Sequence, residues 1–336
     1  MRAMVLAAGL GTRLRPITYA MPKPMVPVLN RPVMEHIVRL LARHGFTEAI
    51  ANLHWFPETI EGHFGDGSGF GVDLTYSREE RLLGTSGGVR NAAGFLGDSF
   101  LVISGDALTD IDLRAMQAFH ESHGGIATLA TKRVEDTSQF GVAITGEDGR
   151  IQGFQEKPDP AEALSDLANC GIYMFRSEIF DYFPDPGTSA AAGPDDPDSF
   201  ADWAMDVFPA LMEADVPFYS HEIDGYWNDI GNLDELRAGN LDALGGSVRV
   251  EPGAPQVADG IWSAVPLDSV EVEPPLLIGK GVELGDGARI QGPAVVGEGC
   301  RIGAGASVRD AILLEGFELP DREILVGGIA ARSSDN

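Results

Sequence analysis

The residues best suited to chemistry lie near the start of the sequence, where a glycine-rich segment is followed by basic side chains. The segment GLGTR at residues 9–13 follows the apolar run VLAA, and Lys23 stands between two prolines. Glycines let backbone N–H groups approach a phosphate closely, and Arg and Lys side chains neutralise its charge. The segment therefore predicts a phosphate-binding loop.

Two common classes of phosphate-binding loop do not fit this segment. A P-loop ends in Gly-Lys followed by Ser or Thr, and that ending is absent here. The dinucleotide-binding fingerprint requires a third glycine at the position that Leu14 occupies. A dehydrogenase-type interpretation of Gly9 and Gly11 is therefore excluded.

The distribution of charge also favours a small anionic ligand. The chain carries a net charge of −27, which argues against nucleic acid or an anionic membrane as a partner. Residues 1–45 nevertheless have a net charge of +6, from Arg2, Arg13, Arg15, Lys23, Arg31, Arg39 and Arg43 against Glu35. A solvated helix face would account for Arg39 and Arg43. It would not account for the basic residues at 13, 15 and 23, which stand among Gly and Pro.

The elements around this segment alternate as in an α/β domain. Short apolar runs predict strands at 2–8, 48–54, 72–77, 99–104, 126–132 and 170–175. Amphipathic stretches predict helices at 32–44, 57–64, 86–95, 112–122, 199–213 and 232–244. The stretch 184–198 is rich in Pro, Gly, Ala and Asp and predicts an exposed loop.

Beyond residue 245 the pattern changes to a six-residue apolar period, carried by Ile278, Leu284, Ile290, Val296, Ile302 and Val308. This period is typical of a parallel β-helix, and these six positions predict about two coils. Two coils bury little surface, so we expect the tail to dock on the first domain or on a second subunit. The predicted domains are 1–245 and 246–336, and the predicted assembly is at least a dimer.

Bulk features set further limits. The chain has no apolar run long enough for a transmembrane helix, and its start lacks a secretory cleavage pattern. Cys170 and Cys300 show no metal-binding spacing, which favours a reduced, cytoplasmic protein. The seven histidines show no pairing that predicts a metal site.

Eight short motifs together resemble the sugar-1-phosphate nucleotidyltransferases. GLGTRLRPIT at 9–18 and PKP at 22–24 match the signature of that family at every fixed position. LGTSGG, SGD, FGV, EKP, NCG and WNDIG follow in the family's order, ending at Gly231. The resemblance implies a Rossmann-like, GT-A-like α/β domain with a mixed central sheet, followed by a short left-handed parallel β-helix of hexapeptide repeats. It also implies transfer of a nucleotidyl group from a nucleoside triphosphate to a sugar 1-phosphate, with release of pyrophosphate.

The resemblance assigns roles to residues of this chain. Asp106 and Asp229 would bind Mg²⁺, and Arg13, Lys23 and Asp106 would be catalytic. The nucleotide would contact Ala8, Gly9, Gly11, Thr12, Arg13, Gly84 and Thr85. The sugar phosphate would contact Gly141, Glu156, Lys157 and Asn169. Because a phosphate nucleophile is already ionised near neutral pH, catalysis would need positioning and charge neutralisation but no general base.

The substrates and two rival functions can also be compared. The LGTSG and ISGDALTDIDL stretches resemble mannose-1-phosphate guanylyltransferases, which implies GTP and mannose 1-phosphate; UTP or dTTP with glucose 1-phosphate is the alternative. A non-catalytic regulatory subunit of the same fold would be expected to lack Arg13, Lys23, Asp106 or Asp229. An acyltransferase function for the tail would call for a histidine base, and the last histidine is His221.

Overall fold

A computed structural model describes residues 1–193 and 195–332. Up to residue 228 its strands are β1 (Arg2–Leu6), β2 (Pro27–Val28), β3 (Arg31–Pro32), β4 (Glu48–Leu53), β5 (Asp73–Arg78), β6 (Ser99–Ser104), β7 (Leu108–Thr109), β8 (Ala127–Arg133), β9 (Gly141–Thr145), β10 (Ile151–Glu156), β11 (Leu167–Arg176), β12 (Phe218–Glu222) and β13 (Trp227–Asn228). The α-helices are α1 (Val33–Arg43), α2 (Pro57–Phe64), α3 (Gly84–Asn91), α4 (Ala93–Leu96), α5 (Leu113–Ser122), α6 (Phe208–Glu213) and α7 (Leu233–Leu244). A π-helix, Trp203–Val207, precedes α6.

Nine of these strands form one mixed sheet with the order β10-β9-β11-β6-β1-β4-β5, while β8 pairs with β11 and with β12. Strand β1 is central and runs parallel to β4 and β6, whereas β11 is antiparallel to β6. The carboxyl ends of β1, β4 and β6 therefore meet at one edge of the sheet, where α/β folds bind ligands. The mixed sheet confirms the expected architecture of this domain.

Both faces of the sheet are covered, because successive side chains of the central strand point to opposite sides. Val5 packs with Ile37 and Leu101 in one apolar cluster. Its neighbour Met4 packs on the other face with Phe175. A strand that is buried on both faces has a continuous apolar sequence, and residues 3–8 form such a run.

Most predicted elements are present, and the differences have local causes. Strands β9, β10 and β12 were not predicted. Strands β10 and β12 each carry only two apolar residues, and the apolar run of β9 is only three residues long. The predicted helix at 86–95 is two helices, α3 and α4. The predicted helix at 199–213 begins only after Asp202, whose side chain accepts hydrogen bonds from the N–H groups of Ala204 and Met205. The stretch 184–198 contains no helix or strand among its described residues; Pro194 lies outside them.

The tail forms three parallel ladders, with strand orders β15-β17-β20-β23-β26, β16-β19-β22-β25 and β18-β21-β24. Its strands are β14 (Gln256–Ala258), β15 (Ile261–Ser263), β16 (Glu271–Glu273), β17 (Leu276–Ile278), β18 (Glu283–Leu284), β19 (Arg289–Gln291), β20 (Ala294–Val296), β21 (Arg301–Ile302), β22 (Ser307–Arg309), β23 (Ile312–Leu313), β24 (Glu318–Leu319), β25 (Ile324–Val326) and β26 (Ile329–Ala330). This arrangement is consistent with a left-handed parallel β-helix, and the apolar column from Ile278 to Val308 packs inside it.

The prediction of about two coils was wrong, because the longest ladder has five strands. The six-residue period breaks outside the central coils. Ile278 pairs with Val296, three hexapeptides later, but Val296 pairs with Leu313, one residue short of the next three. A search for a strict period therefore stops before the β-helix does.

The tail docks on the first domain of its own chain. Outward-facing Leu277, Val295 and Ile312, which are aligned on one ladder, belong to the same buried cluster as Leu14 and Leu236. At the edge of this contact, the side chain of Arg237 donates to a carboxylate oxygen of Asp310 at 2.5 Å. Similarly, Asn30 Nδ2 donates to the carbonyl oxygen of Val296 at 2.8 Å. One of the two predicted docking modes is therefore present, while the predicted dimer and the boundary at 245/246 stay predictions.

None of the helices in residues 1–193 and 195–332 has the length and hydropathy needed to cross a membrane.

Candidate active site

The signature loop leaves β1 and turns sharply at Gly11. Gly11 has a φ of +61°, which a side chain would strain. A Cβ there would also lie 2.8 Å from Cβ of Lys23, so the glycine lets the lysine pack directly against the loop. Thr18 Oγ1 donates to the carbonyl oxygen of Gly11 at 2.8 Å and holds the turn. Thr12 and Arg13 are exposed on a short 3-10 turn that the buried Leu14 anchors.

Lys23 joins this loop to both predicted metal-binding segments. Its Nζ lies 2.5 Å from Oδ2 of Asp106 and donates to the carbonyl oxygen of Asp229 at 3.2 Å. The lysine side chain is only 12% exposed, so the ion pair is held in a partly desolvated position. A charge placed in this way interacts more strongly with phosphate than a freely hydrated lysine would.

Antiparallel pairing of β7 with β13 brings the two aspartates together. Asn228 pairs with Leu108, which places Asp229 opposite the residue that follows Asp106. Thr109 Oγ1 reinforces the pairing by donating to the carbonyl oxygen of Tyr226 at 2.6 Å.

The electrostatics of Asp229 reflect the same neighbours. Burial raises the pKa of its carboxyl group, and the Asp106 charge acts in the same direction against Lys23 and Arg13. A Cβ built on Gly231 would lie 3.0 Å from both carboxylate oxygens of Asp229 and 3.3 Å from Nη1 of Arg13. The guanidinium of Arg13 therefore lies near Asp229, and its charge acts on that carboxylate. Two basic and two acidic side chains are thus close together at the sheet edge.

The paired carboxylates have the donor chemistry of a Mg²⁺ site that is completed by phosphate. Mg²⁺ is commonly held by one or two protein carboxylates together with substrate phosphates and water. Within the described part of the chain, no three His, Cys, Asp or Glu side chains are grouped as a site that would hold a metal without substrate. Asp106 and Asp229 thus fit a metal that arrives with a triphosphate.

The second predicted nucleotide segment, at Gly84 and Thr85, opens α3 and is tied to the residues before the π-helix. Backbone N–H groups of Ser86 and Gly87 donate to the carbonyl oxygen of Ala201, both at 3.1 Å. Thr85 Oγ1 donates to Oδ2 of Asp202 at 2.8 Å. The start of α3 and the residues before the π-helix therefore form one wall of the site.

A cavity of about 410 Å³ lies between this wall and the sheet. It is lined by Leu6, Thr85, Ser104, Glu156, Asn169, Tyr173, Ala191, Asp202, Trp203, Ala204 and Met205. The cavity brings Thr85 of the predicted nucleotide set together with Glu156 and Asn169 of the predicted sugar set. Its size and its mixture of aromatic and polar groups suit a small polar ligand.

The four predicted sugar-phosphate residues lie in two environments. Glu156 and Asn169 line the cavity, and Asn169 Nδ2 donates to the Tyr173 hydroxyl at 3.0 Å. A Cβ on Gly141 would lie 3.0 Å from Oε2 of Glu156, so that backbone approaches the carboxylate closely. The side chain of Lys157 is about half exposed, and its Nζ lies 3.3 Å from Oε1 of Glu156. It does not line the cavity.

The basic residues within 1–45 have two separate roles in the structure. Arg13 and Lys23 lie at the candidate site described above, and two others neutralise a buried acid. Arg31 and Arg39 both bind the carboxylate of buried Glu35, which also bonds to His63. Burial favours the neutral acid, but hydrogen bonds from His63 and Arg39 and the Arg31 charge lower the pKa of Glu35 to about 2. The interpretation of Arg39 as a solvated helix residue was therefore wrong. It held for Arg43, which is exposed.

Sequence reasoning missed several residues of the cavity wall, among them Asp202, Trp203 and Met205. The only signal available was an apolar period assigned to a single helix at 199–213, and a π-helix with an N-terminal aspartate cap disturbs that period. Long-range contacts with α3 form the wall, and no local sequence pattern encodes such contacts.

Comparisons with known proteins show which families the two parts of the chain match. Residues 2–245 match the family described as nucleotidyl transferase, and residues 276–310 match the bacterial transferase hexapeptide repeats. A UTP–glucose-1-phosphate uridylyltransferase of Synechocystis is 39% identical over 86% of this chain and 76% of the relative. A mannose-1-phosphate guanylyltransferase of Mycobacterium tuberculosis is 34% identical over 85% of this chain and 77% of the relative. The crystal structure of a putative glucose-1-phosphate thymidylyltransferase from Bacillus anthracis superposes with a TM-score of 0.63 at 26% identity, covering 75% of this chain and 97% of that one.

Proposed function

Because this chain belongs to the nucleotidyl transferase family and is a sugar-1-phosphate nucleotidyltransferase, we propose that it joins GTP to mannose 1-phosphate. The products are GDP-mannose and pyrophosphate. The observation that carries the proposed nucleotidyl transfer is the grouping of Arg13 and Lys23 with Asp106 and Asp229, beside a cavity lined by Glu156 and Asn169. This grouping also argues against a non-catalytic subunit, since that role requires none of these groups. The choice of GTP and mannose 1-phosphate rests on the LGTSG and ISGDALTDIDL stretches.

The reaction is an in-line displacement at the α-phosphorus of the triphosphate. A phosphate oxygen of the sugar 1-phosphate forms the new P–O bond while the bond to the bridging oxygen of pyrophosphate breaks. Arg13 and Lys23 neutralise the negative charge that accumulates on the phosphates and on the leaving group. No proton has to be removed from the nucleophile, which agrees with a site built from Arg, Lys and Asp.

Substrate positioning falls to the remaining assigned residues. We assign the triphosphate and the base to the backbone at Ala8, Gly9, Gly11 and Thr12, together with Gly84 and Thr85. Glu156 and Asn169 accept and donate hydrogen bonds to sugar hydroxyls, and the backbone of Gly141 lies beside them. Lys157 binds the sugar phosphate, for which it has to leave the carboxylate of Glu156. Asp106 and Asp229 would hold Mg²⁺, which would supply charge neutralisation at the phosphates.

A second substrate pair, UTP with glucose 1-phosphate, is supported by one specific observation. The relative named as a glucose-1-phosphate uridylyltransferase is more similar, at 39% identity, than the guanylyltransferase relatives at 30–34%. The motif stretches LGTSG and ISGDALTDIDL support GTP with mannose 1-phosphate. Both pairs use the same phosphate chemistry, and they differ only in which groups contact the base and the sugar.

A matrix of nucleotides and sugar 1-phosphates decides between the pairs. Pyrophosphate release is measured for GTP, UTP, dTTP, ATP and CTP, each with mannose 1-phosphate and with glucose 1-phosphate. We expect GTP with mannose 1-phosphate to have the highest kcat/KM. A tenfold preference for UTP or dTTP with glucose 1-phosphate assigns the second pair. No pyrophosphate release with any combination contradicts the proposed function itself.

A further inference from the structure

We propose that Asn52 and Glu79 are positioning residues that hold the two predicted nucleotide-binding loops at a fixed separation, and so determine nucleotide affinity without touching the nucleotide. The inference rests on the proposed function, because it takes the segments at Ala8–Arg13 and Gly84–Thr85 as the nucleotide loops. Neither Asn52 nor Glu79 belongs to any of the family motifs in the sequence. Both are buried beneath the loops, with 3% and 7% of their surface exposed.

Three hydrogen bonds connect the loops through these two side chains. The backbone N–H of Ala7, at the start of the signature loop, donates to Oδ1 of Asn52 at 2.9 Å. Asn52 Nδ2 donates to Oε1 of Glu79 at 2.8 Å. The other carboxylate oxygen of Glu79 accepts from the backbone N–H of Leu83 at 3.0 Å, directly before Gly84. A continuous chain of bonds therefore runs from one loop to the other.

The position of Asn52 explains why a side chain is needed here. Leu6 is the last residue of β1, and it pairs with Asn52 on β4. The Asn52 amide oxygen takes up the next N–H, that of Ala7, where the strand pairing has ended. The backbone can then leave the sheet and turn into the glycine-rich loop without a buried unpaired donor, which would be costly.

The packing around the connection leaves little room for it to move. A Cβ on Gly88 would lie 2.7 Å from Asn52 Nδ2 and 2.7 Å from Oε1 of Glu79. The glycine of α3 thus lets the helix pack directly onto the pair. Among the described residues, the buried carboxylate of Glu79 has no cationic partner. It accepts two hydrogen bonds, which no apolar side chain could accept.

The test compares two single variants with a variant that exchanges the two functional groups. Asn52→Ala and Glu79→Gln each remove part of the connection. The double variant Asn52→Asp with Glu79→Gln keeps all three bonds: the new carboxylate at 52 accepts from Ala7 and from the new amide at 79, whose oxygen accepts from Leu83. Thr128→Val serves as a matched control, since it deletes a buried hydroxyl that bonds His120 and His123 on the far side of the domain.

Binding of GTP and of UTP is measured calorimetrically without sugar phosphate, together with the KM for each substrate and the melting temperature. For each single variant we expect a Kd for the preferred nucleotide about tenfold weaker, the scale of one buried hydrogen bond, and a KM for the sugar 1-phosphate changed less than twofold. We expect the exchange variant to recover most of the affinity. Thr128→Val should lower the melting temperature and leave the nucleotide Kd unchanged.

Unchanged nucleotide affinity in both single variants overturns the inference. Equal losses in both substrates, or no recovery in the exchange variant, also overturn it, because either result indicates general destabilisation. These outcomes test the inference when the wild-type enzyme binds nucleotide and releases pyrophosphate. A wild-type protein that does neither contradicts the proposed function instead.

Discussion

The ammonium group of Lys23 lies 2.5 Å from a carboxylate oxygen of Asp106. This ion pair joins two segments that are distant in the sequence. In the proposed reaction Asp106 would hold the metal, and Lys23 would then be available to a phosphate. The pair therefore keeps both groups in position and partly neutralised before substrate arrives.

The first prediction concerns Lys23. We expect Lys23→Ala to lower kcat/KM by a factor that corresponds to roughly 2–4 kcal/mol, the scale of one preorganised contact to developing charge. Steady-state pyrophosphate release measures the change. Arg43→Ala is the matched control, because Arg43 is exposed on α1 in the same basic segment. Equal losses in the two variants would show that the loop assignment is wrong.

The second prediction concerns the acidic pair. We expect Asp106→Asn to lower turnover by orders of magnitude while the melting temperature stays close to that of the wild type, since the side chain is partly exposed. EDTA should abolish activity, and added Mg²⁺ should restore it. Asp98→Asn, next to the other end of β6, should have little effect. Full activity in EDTA would contradict the assignment of Asp106 and Asp229 as metal ligands.

The third prediction concerns the tail. Truncation at Gly246 removes Leu277, Val295 and Ile312 from the cluster that contains Leu14. We expect the melting temperature of the truncated chain to fall by at least about 5 °C, because the exposed apolar surface loses its contacts. Every assigned catalytic residue is still present in that chain. An unchanged melting temperature would contradict the docking.

The fourth prediction concerns oligomeric state. We expect light scattering to show that the intact chain is at least a dimer, because the terminal coils of a β-helix expose apolar edges that a neighbour can cover. Ile324 and Val326, in the last coil, are 70% and 55% exposed. A monomer at micromolar concentration would refute this expectation and leave the docking of the tail untouched.

The fifth prediction concerns acid stability. Burial lowers the pKa of His36 to about 4, and burial together with the charges of His123 and Arg176 lowers that of His120 to about 4. Each histidine therefore binds its proton in the unfolded chain, near pH 6.5, before it does so in the folded one. The contribution of these two histidines to stability should be constant above about pH 7 and fall as the pH drops from about 6.5 to 4, by up to about 3 kcal/mol for each group.

Urea unfolding at several pH values measures this loss. In His36→Gln, the free energy of unfolding should depend on the uptake of one proton fewer, because glutamine does not titrate. The new amide can still donate to the carbonyl oxygen of Val28, as His36 does at 3.0 Å, so the fold should be kept. Glu35 acts in a lower range, since its pKa is about 2 and its contribution is lost only below about pH 4.5. A flat stability profile between pH 7 and 5 would contradict the prediction.

The sequence predicted the parts of the fold that local patterns encode. The apolar run around Val5 predicted the strand at 2–8, and another apolar run predicted the strand at 99–104 that precedes Asp106. The wall formed by Asp202 and Trp203 was not predicted, because its place depends on contacts with α3. The roles of Asn52 and Glu79 also depend on long-range contacts and were not predicted. In the sequence, each is an ordinary polar residue near the end of a strand.

The basic segment shows why residue type alone misleads. Arg13 and Arg39 have the same guanidinium, and both contributed to the positive charge near the start of the chain. In the structure, Arg13 lies near Asp229, and Arg39 neutralises buried Glu35. Flanking Gly and Pro indicated a loop around Arg13, whereas helical spacing indicated only a solvated face for Arg39 and did not predict its buried partner.

Leu277 of the β-helix and Leu14 of the signature loop belong to the same buried apolar cluster, and this has a consequence for unfolding. Separation of the tail would remove part of the cluster that contains Leu14, the residue after Arg13, and would loosen the loop. The two domains should therefore melt in a single cooperative transition, and a calorimetric scan should show one peak in place of two. For this enzyme, the temperature that unwinds the β-helix is the temperature at which the signature loop loses its order.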